Sequence, residues 1–172
     1  MPKIIENLSE KIIEETRRQV MEVGYTALNI RDVAKNCGVG VGTVYNYFPS
    51  KDVLVARFLL QDWKKSLERI HKAAEKCGKN QSNEVERLLL VIYQELSDYY
   101  AQYSGVFHAE GATIQAPPKK YHIILRGQIA EVVRPLCGDD FTAEFISEAL
   151  LTWTVEGQPF KEIWTLLRKV IE

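Results

Sequence analysis

Only three cysteines occur in 172 residues, Cys37, Cys77 and Cys137, an odd number spaced far apart. That spacing argues against a disulfide framework, and no CxxC or Cys/His pattern offers zinc a ligand set. Each cysteine stands directly before a glycine (Gly38, Gly78, Gly138), where a small buried residue packs well, so reduced core cysteines are expected. No apolar run reaches membrane length, and neither a secretory signal nor a lipidation motif is present. A soluble, cytoplasmic protein without membrane contact is therefore expected. Strand-type alternation and internal repeats are missing as well, which leaves helix as the regular structure the pattern supports. Nor is there an excess of one charge: 22 Lys and Arg against 23 Asp and Glu give a net charge of −1. Any attraction to nucleic acid must then come from a local footprint rather than from the whole surface. No nucleophile–base pair, metal cluster or phosphate loop stands out, so neither catalysis nor a cofactor or metal is expected.

What the chain does carry is helix punctuation, densest between Asn29 and Asp52. Asn29 can cap a short helix, and Asp32 gives its entrance negative charge. Val33 and Ala34 face inward, and Gly38 supplies the positive φ that ends this helix at Cys37. A second short helix follows from about Val41 to Tyr47 and is stopped by Pro49. Ser50 then caps the next helix, with Lys51 in its first turn. Two helices joined by a glycine turn form a helix-turn-helix unit, whose second helix enters the DNA major groove. That helix carries Gly42, Thr43, Tyr45, Asn46 and Tyr47, side chains suited to phosphate oxygens and base edges. Gly42 would let the backbone approach DNA closely. Phe48 is expected in the core, while for Tyr45 a core position and a phosphate contact both stay open. Arg17, Arg18, Arg31, Lys35 and Lys51 are diluted by Glu10, Glu14, Glu15, Glu22 and Asp32. A narrow basic face follows, with modest affinity per monomer.

The remaining chain reads as a series of helices. The first, about Asn7 to Val23, has Leu8, Ile12, Ile13, Thr16, Val20 and Val23 on one face and Gly24 as its stop. The fourth, about Lys51 to Cys77, would span about 40 Å and link a DNA head to a separate body. After a polar break from Gly78 to Asn83, Asn83 and Glu86 suggest a capping box for a fifth helix reaching about Tyr103. Gly105 to Pro118 is irregular, with room for a short helix. Three more helices follow, to about Leu136, from about Thr142 to Glu156, and from Phe160 to Glu172. The body is dense in aromatic side chains: Trp63, Tyr93, Tyr99, Tyr103, Phe107 and Tyr121 are expected to border a largely apolar effector cavity. His108 and His122 are expected to be surface or satisfied core residues rather than ligands. Phe141, Phe145, Ala149 and Trp153, then Phe160, Ile163, Trp164, Leu167 and Ile171, form wide apolar stripes on the last two helices.

In their order, Gly38-Val39, Gly42-Thr43-Val44-Tyr45, Tyr47-Phe48, Lys51 and Leu54 resemble the signature of the tetracycline-repressor (TetR) family of transcription regulators. The resemblance covers roughly residues 8 to 60. It departs at Gly40, where the family usually has Ser or a similar cap; Gly there costs only a few tenths of a kcal/mol. The resemblance implies an all-α chain of about nine helices, with a DNA-binding domain at 1–50 and an effector-binding and dimerisation domain at 51–172. It also implies phosphate contacts from Thr43, Tyr47 and Lys51, and base contacts from Arg31, Val41 and Asn46. The last two helices would pair into a four-helix dimer interface, here through Phe145, Trp153, Phe160, Ile163, Trp164 and Leu167. The partners implied are a double-stranded DNA operator, a second copy and a small-molecule effector whose identity stays open. Most simply the chain is a repressor released when the effector tilts the fourth helix. An activator, or a co-regulator acting through protein contacts, is the alternative.

Overall fold

The computed structural model describes residues 7–77, 82–107 and 119–171. The described residues form nine α-helices and one 3-10 turn, with no strand, so the chain is all-α as expected. The helices are α1 (Leu8–Ala27), α2 (Ile30–Cys37), α3 (Val41–Tyr47), α4 (Lys51–Ala74), α5 (Ser82–Gln102), α6 (Ser104–Phe107), α7 (Lys119–Val133), α8 (Asp140–Val155) and α9 (Phe160–Ile171).

The helix ends follow the punctuation. Gly24 takes φ 80°, ψ 167° and breaks α1, whose last turn then runs on to Ala27. Periodicity points Val23 inward, but the helical register ends beside it and it is exposed. Asn29 caps α2 by accepting from the Arg31 N–H at 2.9 Å, and Gly38 closes that helix at φ 72°. Only glycine reaches that left-handed backbone without strain. Ser50 Oγ accepts from the Val53 N–H at 3.2 Å at the start of α4. α5 begins at Ser82, so Asn83 lies inside its first turn rather than at the cap of a capping box. α8 starts earlier than expected because Asp139 caps it, accepting from the Thr142 N–H at 2.9 Å. The part of the Gly105–Pro118 segment beyond residue 107 lies outside the described residues, as do His108, the Pro117-Pro118 pair and Gly78.

Chain packing divides into two units. The head comprises α1, α2, α3, α4 up to Asp62, and α6, which packs on α1. Its core is Ile12, Ile13 and Val20 of α1 with Val33, Val44, Phe48, Leu54 and Phe58. The Arg17 guanidinium lies 5.9 Å from the Phe58 ring centre and donates to Asp62 at 2.9 Å, closing α1 onto α4. The body comprises α4 from Trp63 together with α5, α7, α8 and α9. Here α8 packs against α5, α7 and α9 and buries Ala143, Ile146, Leu150 and Leu151. The buried Ser147 hydroxyl is satisfied by the Ala143 carbonyl at 2.7 Å, one turn back. Among the described residues no helix is long and apolar enough to cross a membrane.

Candidate functional site

The short α3 buries only Val44, which anchors it on the head core together with Phe48 immediately after it. Every other position has exposed surface: Gly42, Tyr45, Asn46 and Tyr47 are exposed, and Val41 and Thr43 are partly so. Tyr45, for which core and surface both stand open in the sequence, is 46% exposed. A seven-residue helix attached by one valine presents the rest of its surface to solvent. That surface is neutral and rich in hydroxyl and amide groups, with an open glycine beside it. Nothing lies within 4 Å of the place a Gly42 Cβ would occupy, so a close approach by a partner's backbone is unobstructed. Arg31 stands exposed in the first turn of α2.

Lys51 is more engaged than its position suggests. Its Nζ lies 4.4 Å from the centre of the Tyr25 ring and donates to the Thr26 carbonyl at 3.4 Å. Burial lowers its pKa somewhat, against the pull of Asp52. The Tyr25 hydroxyl in turn donates to Asp52, and burial first, then that carboxylate, pushes the phenol pKa up. Tyr25 thus fastens the end of α1 to the start of α4, a role with no sequence signal beyond its place after the Gly24 break. A second clasp holds α1 to α2. Glu15 accepts from Arg18 at 2.6 Å, Asn36 at 2.7 Å and Gln19 at 2.8 Å. The Arg18 hydrogen bond, helped by those to Asn36 and Gln19, outweighs desolvation and holds the Glu15 carboxyl down at about 2. These contacts fix α2 and the turn that presents α3.

In the body, four of the six residues expected at an effector cavity form one buried cluster. Trp63 meets Tyr99 edge-on at 5.5 Å, Tyr103 meets Tyr99 at 5.2 Å, and Tyr121 stacks on Tyr99 at 6.5 Å. The Tyr99 and Tyr121 hydroxyls are hydrogen-bonded to each other, and the Trp63 N–H donates to Gln128 at 2.9 Å. Burial, then the neighbouring Tyr121, drives the Tyr99 phenol pKa far above its ordinary value, so it stays neutral. Tyr93 stands apart from this group. It packs on Phe160 at 5.6 Å and donates its hydroxyl to the Gln158 carbonyl at 3.1 Å. Phe107 lies on α6, with its side chain outside the described residues. His122 is half-buried and joined to Glu148 at 2.9 Å.

The apolar stripes on α8 and α9 divide differently from expectation. Ile163 is 1% exposed and Leu167 0%, both buried within their own protomer. With no surface left, these two cannot contribute area to a partner. The apolar surface that remains is Phe141 and Phe145 on α8, with Val155 at its end, and Leu166 and Val170 on α9. Trp153, Phe160 and Trp164 keep part of their surface. Helical geometry explains the split: positions 163 and 167 define the inward line of α9, and 166 and 170 flank it. The three cysteines are half-buried thiols, their pKa values raised mainly by burial. Among the described residues no cluster of His, Cys, Asp or Glu suits a metal ion.

Residues 12–58 match the family of bacterial regulatory proteins described as the tetR family. The uncharacterised HTH-type transcriptional regulator YuxN of Bacillus subtilis is 30% identical over 91 residues, 52% of this chain and 31% of that protein. The HTH-type transcriptional repressor KstR of Rhodococcus jostii is 33% identical over 99 residues, 52% of this chain and 43% of that protein. The chain therefore spans about a third to less than half the length of these curated relatives. The fold extends further than the sequence likeness. A Thermus thermophilus protein described as FadR, a TetR family transcriptional repressor solved with lauroyl-CoA, superposes with a TM-score of 0.63 at 16% identity. That match covers 95% of this chain and 92% of the other.

Proposed function

We propose that this chain, whose residues 12–58 match the tetR family of bacterial regulatory proteins, is a TetR-family, homodimeric, DNA-binding transcription regulator. Its most economical role is that of a repressor released from its operator by a small molecule. The observation that carries the reading is α3, a helix whose one buried residue is Val44 and whose exposed face is Gly42, Tyr45, Asn46 and Tyr47. A helix so exposed stabilises the fold little and is shaped to be covered by something else.

In this reading Thr43, Tyr47 and Lys51 hold phosphates, and Tyr45 has the exposure to join them. Arg31, Val41 and Asn46 reach base edges, Asn46 by its amide on adenine and Arg31 by its guanidinium on guanine. Gly42 lets the strand approach. The functional division is a reading head at 1–50 and an effector and dimer domain at 51–172, with the continuous α4 common to both. The effector would sit against Trp63, Tyr99, Tyr103 and Tyr121, whose polar groups are few and directed. Because α4 carries both Lys51 and Trp63, a change around Trp63 has a covalent route to the head. The dimer surface is assigned to Phe145, Leu166 and Val170 with the exposed edges of Trp153, Phe160 and Trp164. A two-fold axis there gives two heads for two half-sites. The protein acts as no enzyme in this reading and needs no cofactor or metal.

The test is a gel-shift on the DNA upstream of the protein's own gene. A specific complex is expected, and Asn46→Ala should change which bases are preferred at a cost of roughly 1–3 kcal/mol per half-site. Absence of any specific complex from that DNA and from a random-site selection would instead favour a co-regulator acting through protein contacts.

A further inference from the structure

The second half of α4 and the first half of α5 enclose an open groove of about 480 Å³. Small-molecule sites typically occupy ~300–1,000 Å³. The groove shares no lining residue with the Trp63–Tyr121 cluster, so it is a distinct feature of the body. Its floor is apolar, formed by Ala73 from α4 and by Leu88 and Val91, one turn apart, from α5. Its rim is cationic. Lys72 of α4, Lys76 just beyond the end of that helix and Arg87 of α5 all line it.

Two observations set this rim apart from ordinary surface charge. Arg69, at one end of the groove, is already held in place: it donates to Glu95 twice at 2.6 Å and to Ser66 at 3.0 Å. Lys72, Lys76 and Arg87 form no ion pair with a described residue, and among the described lining residues Glu84 is the only carboxylate. Nor does the helix dipole account for the grouping. Lys72 suits the carboxy-terminal turn of α4, but Arg87 lies beyond the first turn of α5, where the dipole favours neither sign. Like charges brought together over an apolar floor repel one another until an anion arrives.

We propose that this groove binds an amphipathic organic anion, with its apolar body on Ala73, Leu88 and Val91 and its negative group among Lys72, Lys76 and Arg87. The assignment does not depend on the effector cluster or on DNA binding. It rests on local chemistry that an uncharged or cationic compound would not satisfy.

Cys77 lines the same groove and gives a local readout. Alkylation of each cysteine in the full chain would be followed by peptide mass spectrometry, at alkaline pH because burial raises the Cys77 thiol pKa. Decanoate, used below its micelle concentration, should slow alkylation of Cys77 several-fold and leave Cys137 unaffected. Decanol, with the same chain and no charge, should protect far less. The Lys72→Gln/Lys76→Gln/Arg87→Gln variant should need about tenfold more decanoate for equal protection, and Lys76→Glu alone should weaken it in the same direction. The changed side chains are exposed, so the variants should melt like the parent. Equal protection by decanol, undiminished protection in the triple variant, or parallel slowing at Cys137 would each overturn the assignment.

Discussion

Replacing Phe145 and Leu166 together with glutamate should convert the proposed dimer into folded monomers. In the protomer Leu166 is 50% exposed and Phe145 44%, so roughly half of each side chain is available to a partner. Complete burial of such a side chain is worth ~1.5–3 kcal/mol, so covering the exposed half contributes about 1 kcal/mol. Two-fold symmetry counts each site twice, which brings the pair to about 4 kcal/mol. That corresponds to about a thousandfold in the dimer dissociation constant. Four carboxylates drawn into an apolar interface add a desolvation cost, so the thousandfold figure is a lower bound. Because both sites are already half in water, circular dichroism and melting of the monomer should change little. Leu167→Glu provides the contrast. Leu167 has no exposed surface, so a charge there is forced into the protomer core and should unfold the chain rather than separate two intact copies. Sedimentation velocity over a concentration series, with circular dichroism on the same samples, distinguishes the two outcomes. The reasoning is refuted if the double variant sediments as a dimer alongside the parent, or if Leu167→Glu yields well-folded monomers. Monomers should also lose tight operator binding, since each head then holds a single half-site.

Two further outcomes follow from the head. Lys51→Ala should lower the slope of log affinity against log salt by about one unit for each half-site, measured by operator titration from low to moderate salt. The same change removes the ammonium from the Tyr25 ring, so a small drop in melting temperature should accompany it. Glu15 links the head's stability to pH. Its folded-state pKa is depressed to about 2, so its contribution is fully present above the ordinary carboxylate range and is lost as pH falls toward that value. Urea midpoints should therefore fall between pH 5 and pH 2, and Glu15→Gln should flatten that part of the profile.

Much of the head was legible because its signals are local. The Asn29 cap, the positive φ at Gly38, the stop at Pro49 and the Ser50 cap act within a few residues of themselves. The bounds of α2 and α3 therefore follow from neighbours alone. Phe48 in the core is equally local, since α3 has just one other inward position. The clasps were not legible. Tyr25 with Asp52 and Glu15 with Asn36 join residues distant in the chain, and no spacing rule marks such pairs. The groove lined by α4 and α5 depends likewise on residues of two separate helices brought to one place.

The apolar stripe of α9 marks the boundary most clearly. Composition and period determined that a broad apolar face exists from Phe160 to Ile171, and that an isolated helix cannot leave it in water. Which members of that face the chain's own core takes and which stay in water was decided only in three dimensions. The protomer core takes the centre line of the stripe, Ile163 and Leu167, and leaves its flank, Leu166 and Val170, in water. Hydrophobicity is a property of the residue, but burial is a property of what lies opposite it.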